Sequence, residues 1–193
     1  MEENVGWYRR KLPHFDGGNT TQFVTFNLDD SLPRHLIEDM KQELKGMRGN
    51  VERKRHDKIQ HFLDQGSGSC ILREPRCAEI ALDSLLNLDG NLFELISWVV
   101  MPNHVHFLAR FHEGQRLPIA LHGLKSFTAH ELKNIHPETN SIWHVESYDR
   151  YMRDEEHYWN TVSYIHRNPV VARLCKKPNE FRWSSAYDGD NVS

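Results

Sequence analysis

The sequence predicts an α+β fold whose elements follow the order β-α-β-β-α-β, with one further helix at the end. Two strand-like apolar runs, 93–101 and 104–111, are joined only by Pro102 and Asn103, which is typical of a hairpin. Apolar residues at helical spacing precede and follow this hairpin, and strand-like segments stand at both ends of the series. This order is that of the ferredoxin-like antiparallel sheet.

The first half of the chain provides one strand and several helices. Residues 22–28 are predicted as a strand because Phe23, Thr25 and Phe26 lie there among β-branched neighbours. Asp30 or Ser31 is expected to cap a helix, and helical spacing continues to a Gly-Ser-Gly-Ser run at 66–69. We interpret 32–65 as a helical pair inserted into the basic order. Another helix is expected to begin at Pro75.

The second half supplies the remaining elements. Residues 118–134 are predicted as an amphipathic helix and 145–152 as the last strand. Asp154 is expected to cap the final helix, which should end before Pro169 because the residue preceding a proline avoids the helical conformation. The final helix therefore closes a single domain over 1–187, and 188–193 are expected to fray.

The composition indicates an ordinary soluble protein. The chain has 193 residues, 24 basic and 27 acidic side chains, and a formal net charge of −3. The longest apolar run, 95–101, is too short for a membrane span, which needs about 20 residues. A charged opening segment argues against a signal peptide, so a cytoplasmic location is expected. Three widely spaced cysteines indicate neither a disulfide framework nor a zinc knuckle.

Charge is unevenly distributed along the chain. Residues 41–58 contain seven basic and three acidic side chains, and residues 164–183 contain five basic and one acidic side chain. Two basic segments on a mildly acidic protein are compatible with a phosphate-binding surface, although solvated helix faces explain each segment equally well. Whether the helical pair 32–65 binds DNA, covers the sheet or mediates assembly stays open at this level.

A His-Val-His motif lies on the second strand of the hairpin. Because side chains alternate along a strand, His104 and His106 point to the same face while Val105 points to the other. Two imidazoles on one rigid face form half of a metal site. The alternative is a pair of exposed polar residues on an open sheet face.

The final helix offers partners for this pair. Tyr164 and Asn168 are four residues apart and share one helical face. A tyrosine has a pKa of about 10 and is a weak nucleophile unless its target is activated, which a metal held by His104, His106 and Asn168 could do for a phosphodiester. Alternatively, Tyr164 is a packed aromatic and Asn168 a helix terminator.

Several motifs together resemble one family. Residues 98–108, WVVMPNHVHFL, closely resemble the hairpin of single-tyrosine HUH transposases. Residues 148–157, YDRYMRDEEH, and 164–170, YIHRNPV, resemble the tyrosine-helix region of the REP-associated branch. Residues 124–130, LKSFTAH, resemble that branch's second helix. The resemblance covers roughly residues 7–187.

The resemblance implies both activity and roles. His104 and His106 would be metal ligands, Tyr164 the nucleophile and Asn168 a helix-borne amide ligand. Members of the family cut single-stranded DNA at or near hairpins with Mg²⁺ or Mn²⁺, through a 5′-phosphotyrosine. REP-associated members resemble single-copy domesticated enzymes that act on repetitive extragenic palindromes as monomers, whereas the transposing members of the family work as dimers. The resemblance thus implies a bacterial, nucleoid-associated enzyme and leaves its oligomeric state open between monomer and homodimer.

Other residues are candidates for roles in the same site. Tyr148, Tyr151 and Tyr158 compete for the nucleophile role, but only Tyr164 combines a helix, an amide four residues on and the family motif. Asp149 is a weaker candidate for supporting a ligating histidine. Basic side chains near the site that are expected to contact DNA are Lys125, Arg150, Arg153, Arg167 and Arg173. Stacking of unpaired bases on Trp143, Trp159 or Trp183 is a further possibility.

Two other functions remain compatible with the sequence. A DNA-binding protein could keep the fold without mobility. An unrelated hydrolase could use His104 and His106 on a small ester, but it would leave Tyr164 and Asn168 idle.

Overall fold

The structure is a computed structural model that describes residues 6–9, 13–16, 20–32, 39 and 51–189. Two predicted features therefore lie outside the described residues: the first helix within 32–65, with its start after Asp30 or Ser31, and most of the basic segment 41–58. The side chains of 51–57 are not described either. Of the segment 188–193, only 188 and 189 are described.

Four antiparallel strands form the main sheet. They are β3 (Thr21–Asn27), β4 (Phe93–Val100), β5 (His104–Phe111) and β6 (Tyr148–Tyr151), in the spatial order β4-β5-β3-β6. A separate hairpin precedes them, formed by β1 (Gly6–Arg9) and β2 (Pro13–Asp16). The predicted hairpin around Pro102 and Asn103 is confirmed, and so is the α+β class with its antiparallel sheet.

Four α-helices complete the described chain. They are α1 (Val51–Asp64), α2 (Pro75–Leu86), α3 (Leu117–Ile135) and α4 (Glu155–Val171), with single 3₁₀ turns at Ile71–Arg73 and Pro178–Glu180. The second helix of the predicted pair corresponds to α1. None of the helices in the described part of the chain is long and apolar enough to cross a membrane.

The two faces of the sheet carry different layers. On one face, Val24, Phe26 and Phe107 pack with apolar residues of α2 and α3 in the larger core. On the other face, Phe23 and Leu108 pack with Ile165 of α4 in a smaller core. Since alternate residues of a strand face opposite layers, the side chains of Thr25 and His106 lie on the α4 face.

The end of α4 corrects the prediction that this helix stops before Pro169. The helix continues to Val171 with Pro169 inside it. Pro169 removes only one N–H, close to the end, and the N–H of Ala172 again bonds the carbonyl of Asn168 at 2.9 Å. The N–H of Leu174 then bonds the carbonyl of Pro169 at 2.8 Å, and Arg173 takes a left-handed φ of 58°. This Schellman-type end satisfies the last carbonyls without stopping at the proline.

The last strand is shorter than the predicted 145–152. In β6, Tyr148 pairs with Thr25, but farther along Trp143 bridges Leu28, so the register shifts by two residues between these pairs. Two extra residues therefore loop out of the pairing, and Val145 is exposed there. An interruption of this kind is a bulge, which alternation of residue types does not reveal.

Candidate active site

His104 and His106 lie side by side on the α4 face of β5. Their ring centroids are 4.5 Å apart, and both side chains are fully buried. The alternative of two exposed polar residues on an open sheet face is therefore wrong. Since a buried polar group needs a hydrogen-bond partner or a ligand, both nitrogens of each ring must have one.

The tautomer of His104 follows from its neighbour Asn103. The Nδ2 of Asn103 donates to the carbonyl of Ser67 at 2.9 Å, so its Oδ1 faces the ring and accepts from His104 Nδ1 at 2.7 Å. His104 therefore carries its proton on Nδ1, and the lone pair of Nε2 points into the site. Complete burial lowers the pKa of His104 to about 3, which keeps the ring neutral and able to bind a metal.

Asn103 is therefore expected to raise the metal affinity of the histidine pair without being a ligand itself. Replacing Asn103 with Leu removes the acceptor that fixes the His104 tautomer, and the loss of such a partner typically costs about 10–100-fold in metal affinity. Titration calorimetry with Mn²⁺ measures this loss. Asn91→Ala, in an exposed turn, is the matched control and should leave the affinity unchanged. Equal Mn²⁺ affinity in both variants would contradict the assignment.

His106 is held by the neighbouring strand and faces α4. Its Nδ1 lies 2.8 Å from Oγ1 of Thr25, the residue paired with it on β3. Its Nε2 lies 3.5 Å from the hydroxyl of Tyr164 and 3.4 Å from Nδ2 of Asn168. The structure thus brings together the four residues that the sequence singled out.

Tyr164 and Asn168 face the histidine pair from α4. The Tyr164 ring stands edge-on to Phe23 at 5.9 Å and lies 5.4 Å from the ring of His106, which fixes its direction. Asn168 is almost completely buried, and its Oδ1 has no hydrogen-bond partner among the described residues. An amide oxygen in this position needs a ligand that the described chain does not supply.

Two residues of the site, both from α1, were not predicted from the sequence. Gln60 and Asp64 are four residues apart and so share a helical face, as Tyr164 and Asn168 do on α4. The Tyr164 hydroxyl donates to Oε1 of Gln60 at 3.0 Å, and Asn168 Nδ2 donates to Oδ1 of Asp64 at 3.3 Å. The end of α1 therefore covers the histidine pair.

Asp64 gives the site a carboxylate. Its Oδ1 lies 3.9 Å from Nε2 of His104, and burial raises its pKa despite the opposing hydrogen bond from Asn168. Besides this hydrogen bond, the charge of His61 favours the carboxylate, but burial outweighs both, so the ionised form stays disfavoured in the folded protein. A divalent cation would stabilise the ionised carboxylate.

The donor set fits a divalent metal. One ligand atom from each of Asp64, His104 and His106 lies within 4.8 Å of the others. His104 Nε2 and Asn168 Oδ1 are buried without hydrogen-bond partners in the described part of the chain. Imidazole, carboxylate and amide oxygen together suit ions such as Mn²⁺, while the oxygen ligands also suit Mg²⁺.

The predicted DNA-contacting side chains lie in different places. Arg167 lines a cleft of about 270 Å³ together with Asp64, Tyr164 and Asn168. Arg150, paired with Phe23, lies on the α4 face of the edge strand. Arg153 and Arg173 are exposed before and after α4. Their contacts with DNA stay predictions.

Lys125 lies on the opposite layer, on α3, and its side chain is used within the protein. Its Nζ donates to the carbonyl of His144 at 2.6 Å. Burial lowers its pKa to about 8 from 10.5, against the favourable charges of Glu146 and Asp29. In the unfolded chain Lys125 therefore binds its proton more tightly than in the folded protein.

This shift predicts a pH dependence of stability. Between about pH 8 and pH 10.5 the unfolded state binds more protons at Lys125 than the folded state does. The contribution of Lys125 to the free energy of unfolding therefore rises with pH in this range. Urea unfolding of Lys125→Met should show less of this rise than the wild type, whereas Lys133→Met, exposed on the same helix, should follow the wild type. Parallel curves for all three proteins would contradict the shift.

The competing tyrosines differ in their distance from the site. Tyr148 pairs with Thr25 and its ring lies 6.4 Å from that of Phe23, so it is on the α4 face of the sheet, whereas Tyr151 pairs with Gln22 on the other face. Tyr158 precedes Tyr164 on another face of α4. Asp149 pairs with Val24 and so lies on the α2–α3 face, away from the histidines. Of the three tryptophans, Trp143 is buried, Trp183 is half-buried and Trp159 is exposed.

Comparisons with known proteins give one family match and similar solved structures. Residues 84–168 match the family model described as transposase IS200 like, and this match includes His104, His106, Tyr164 and Asn168. The structure of a REP-associated tyrosine transposase bound to a REP hairpin shares 19% sequence identity at a TM-score of 0.56, covering 95% of this chain and 82% of that one.

Two further results complete these comparisons. A crystal structure of a protein from Deinococcus radiodurans assigned as a transposase shares 14% identity at a TM-score of 0.35, covering 83% of this chain and 96% of that one. No curated protein matches the chain. The resemblance found in the sequence is confirmed: residues 84–168 match the IS200-like transposase family, and the chain has a fold similar to that of a REP-associated tyrosine transposase.

Proposed function

We propose that this protein is a transposase-type nuclease and strand-transferase that cleaves single-stranded DNA near hairpins through a covalent 5′-phosphotyrosine, with Mg²⁺ or Mn²⁺. The observation that carries the proposal is the position of the Tyr164 hydroxyl, 3.5 Å from His106 Nε2 within the group of buried metal-type donors. A packed aromatic needs no such neighbours, whereas a nucleophile acting on an activated phosphate does.

The residues of the site would have three different roles in this reaction. His104, His106, Asp64 and Asn168 would hold the cation, which when bound polarises a phosphate oxygen and neutralises its charge. Gln60 accepts the hydrogen bond of the Tyr164 hydroxyl and so fixes the direction of the phenol oxygen. Arg167, which lines the cleft and is exposed, offers a positive charge to the DNA backbone.

The covalent step conserves a phosphodiester bond. The oxygen of Tyr164 attacks phosphorus, its proton leaves to solvent, and the bond from phosphorus to the 3′ oxygen breaks. The products are a 5′-phosphate joined to Tyr164 and a free 3′-hydroxyl. Attack of a 3′-hydroxyl on the phosphotyrosine then rejoins DNA and restores the phenol. Strand transfer therefore needs no external energy source, unlike hydrolysis followed by ligation.

The substrate class rests on the same resemblance. A similar fold occurs in a transposase bound to a REP hairpin, which supports hairpin-bearing DNA, such as REP-like palindromes, as the partner of this chain. Chromosomal DNA as the substrate also implies a cytoplasmic, nucleoid-associated protein. The oligomeric state, monomer or homodimer, does not enter the chemistry proposed for Tyr164.

A DNA-binding protein without transposition is the second candidate. It is favoured by one observation: the Tyr164 hydroxyl is already bonded to Gln60 and partly covered by α1. DNA must replace this bond before Tyr164 can react. A small-ester hydrolase is less well supported, because Tyr164 and Asn168 belong to the same cluster as the histidines.

The test is the covalent product itself. Labelled single-stranded oligonucleotides carrying hairpins from the flanking genomic DNA would be incubated with the protein and Mn²⁺ or Mg²⁺, then separated on a denaturing gel. A metal-dependent protein-linked band, with the modified peptide mapped to residues 155–171, is expected. Binding without any covalent band across many hairpins and with both metals would support the DNA-binding alternative.

A further inference from the structure

A second group of metal-ligating side chains lies on the opposite layer of the protein. Glu74 is the N-cap residue of α2, and Cys77 lies three residues on, in the first turn of the helix. His136 is the C-cap residue of α3, which packs beside α2. One ligand atom from each of these three residues lies within 4.8 Å of the others.

His136 has the arrangement of a metal ligand. Its Nδ1 lies 3.3 Å from a carboxylate oxygen of Glu138, and its Nε2 lies 3.3 Å from Oε2 of Glu74. Metal-ligating histidines commonly donate their other ring N–H to a carboxylate in this way. Nε2 is buried without a hydrogen-bond partner in the described part of the chain. The ring is thus fixed at one nitrogen, while the other faces Glu74 and Cys77.

Glu74 and Cys77 complete the group from α2. The Glu74 side chain makes no capping hydrogen bond to the described helix, although Glu74 is the N-cap residue. It is also partly exposed, so it can adjust toward an ion. Cys77 is fully buried and makes no disulfide within the described chain. The group is therefore closed on the Cys77 side and open to solvent on the Glu74 side.

We propose that Glu74, Cys77 and His136 form a site for Zn²⁺ or a similar thiophilic divalent cation, with water in the fourth position. Sulfur, imidazole and carboxylate are the ligands of zinc. Bonds of 2.0–2.3 Å in a tetrahedron place ligand atoms about 3.3–3.8 Å apart. The 3.3 Å between His136 Nε2 and Glu74 Oε2 already matches this spacing, and the ligand atoms of all three residues lie within 4.8 Å of one another.

The cation would join the beginning of α2 to the end of α3. Without a metal, burial raises the pKa of the Cys77 thiol to about 11, so the thiol is protonated at neutral pH. On binding, the cation takes the thiolate as ligand and the thiol proton passes to solvent. This site contains sulfur, whereas the donors Asp64, His104, His106 and Asn168 do not. The two sites can therefore be distinguished spectroscopically.

The test uses Co²⁺ as a spectroscopic probe for zinc on the full-length, reduced protein. A thiolate ligand gives an intense sulfur-to-cobalt charge-transfer absorption in the near ultraviolet, which nitrogen and oxygen ligands do not give. We expect this absorption in the wild type and in Asp64→Asn, its removal by added Zn²⁺, and its loss in Cys77→Ser. Cys70→Ser and Cys175→Ser are the matched controls and should keep it.

Two further variants protect the test against misfolding at the buried Cys77. Glu74→Gln and His136→Gln change partly exposed side chains, and each should weaken the absorption at a fixed Co²⁺ concentration. Absence of the absorption in the wild type would overturn the proposal. Persistence of the absorption in both Cys77→Ser and His136→Gln would also overturn it, and so would loss of the absorption in Cys70→Ser or Cys175→Ser.

Discussion

Tyr164→Phe is expected to abolish the covalent protein–DNA product while leaving hairpin binding within about twofold. Removal of a nucleophile costs about 10⁴-fold or more in rate, so no linked band should remain on the gel. The ring contacts with Phe23 and His106 are kept by phenylalanine. The lost hydrogen bond to Gln60 costs about 1 kcal/mol of stability, too little to unfold a domain.

The control for this substitution is another tyrosine of the same helix. Tyr158 lies six residues earlier on α4, on a different face, and packs against the smaller core. Tyr158→Phe should keep the covalent band, and binding to the hairpin should be equal in both variants by gel shift. A linked band that survives Tyr164→Phe and disappears in Tyr158→Phe would mean that Tyr164 is the wrong nucleophile.

The part of the site that could be predicted depends on local geometry. Alternation along β5 places His104 and His106 on one face, and helical spacing places Tyr164 and Asn168 on one face of α4. These rules need no knowledge of the rest of the chain. The family motifs then indicated that the two faces meet, and the structure places His106 within 3.5 Å of Tyr164.

The contribution of α1 could not be predicted in this way. Gln60 and Asp64 contact residues 104 positions away along the chain, and no periodicity indicates which helix face meets a distant strand. A glutamine and an aspartate four residues apart are also typical of a solvated helix surface. One signal was available: the predicted ligands, two imidazoles and an amide, include no negatively charged group to balance a divalent cation. This lack indicates a further carboxylate ligand, which Asp64 supplies.

Pro169 shows a different limit of sequence reasoning. The preference against helix before a proline is local and statistical, whereas the burial of Asn168 and Pro169 against the sheet face is a tertiary effect. Since the proline lies near the end of α4, it removes one hydrogen bond, and the Schellman-type end satisfies the following carbonyls. The helix therefore continues, and Asn168 stays on the same face as Tyr164.

Asp64→Asn is expected to separate metal binding from folding. The substitution keeps the shape of the side chain but removes the carboxylate whose Oδ1 lies 3.9 Å from Nε2 of His104. We expect a loss of about 100-fold or more in Mn²⁺ affinity, beyond the 10–100-fold typical of a residue that only supports a ligand. Covalent product should then require higher Mn²⁺, while hairpin binding without metal is unchanged.

The stability of the metal-free protein should move in the other direction. Burial raises the pKa of Asp64, so near neutral pH the folded state keeps a carboxylate that its surroundings disfavour. A neutral asparagine removes this cost, and the metal-free Tm should stay equal or rise. Asp83→Asn, exposed on α2, is the control for both measurements. If Asp64→Asn needs no more Mn²⁺ than the wild type, then His104, His106 and Asn168 hold the ion without α1. If instead its Mn²⁺ affinity falls while its Tm does not, then Asp64 is a metal ligand supplied by the helix that covers the site.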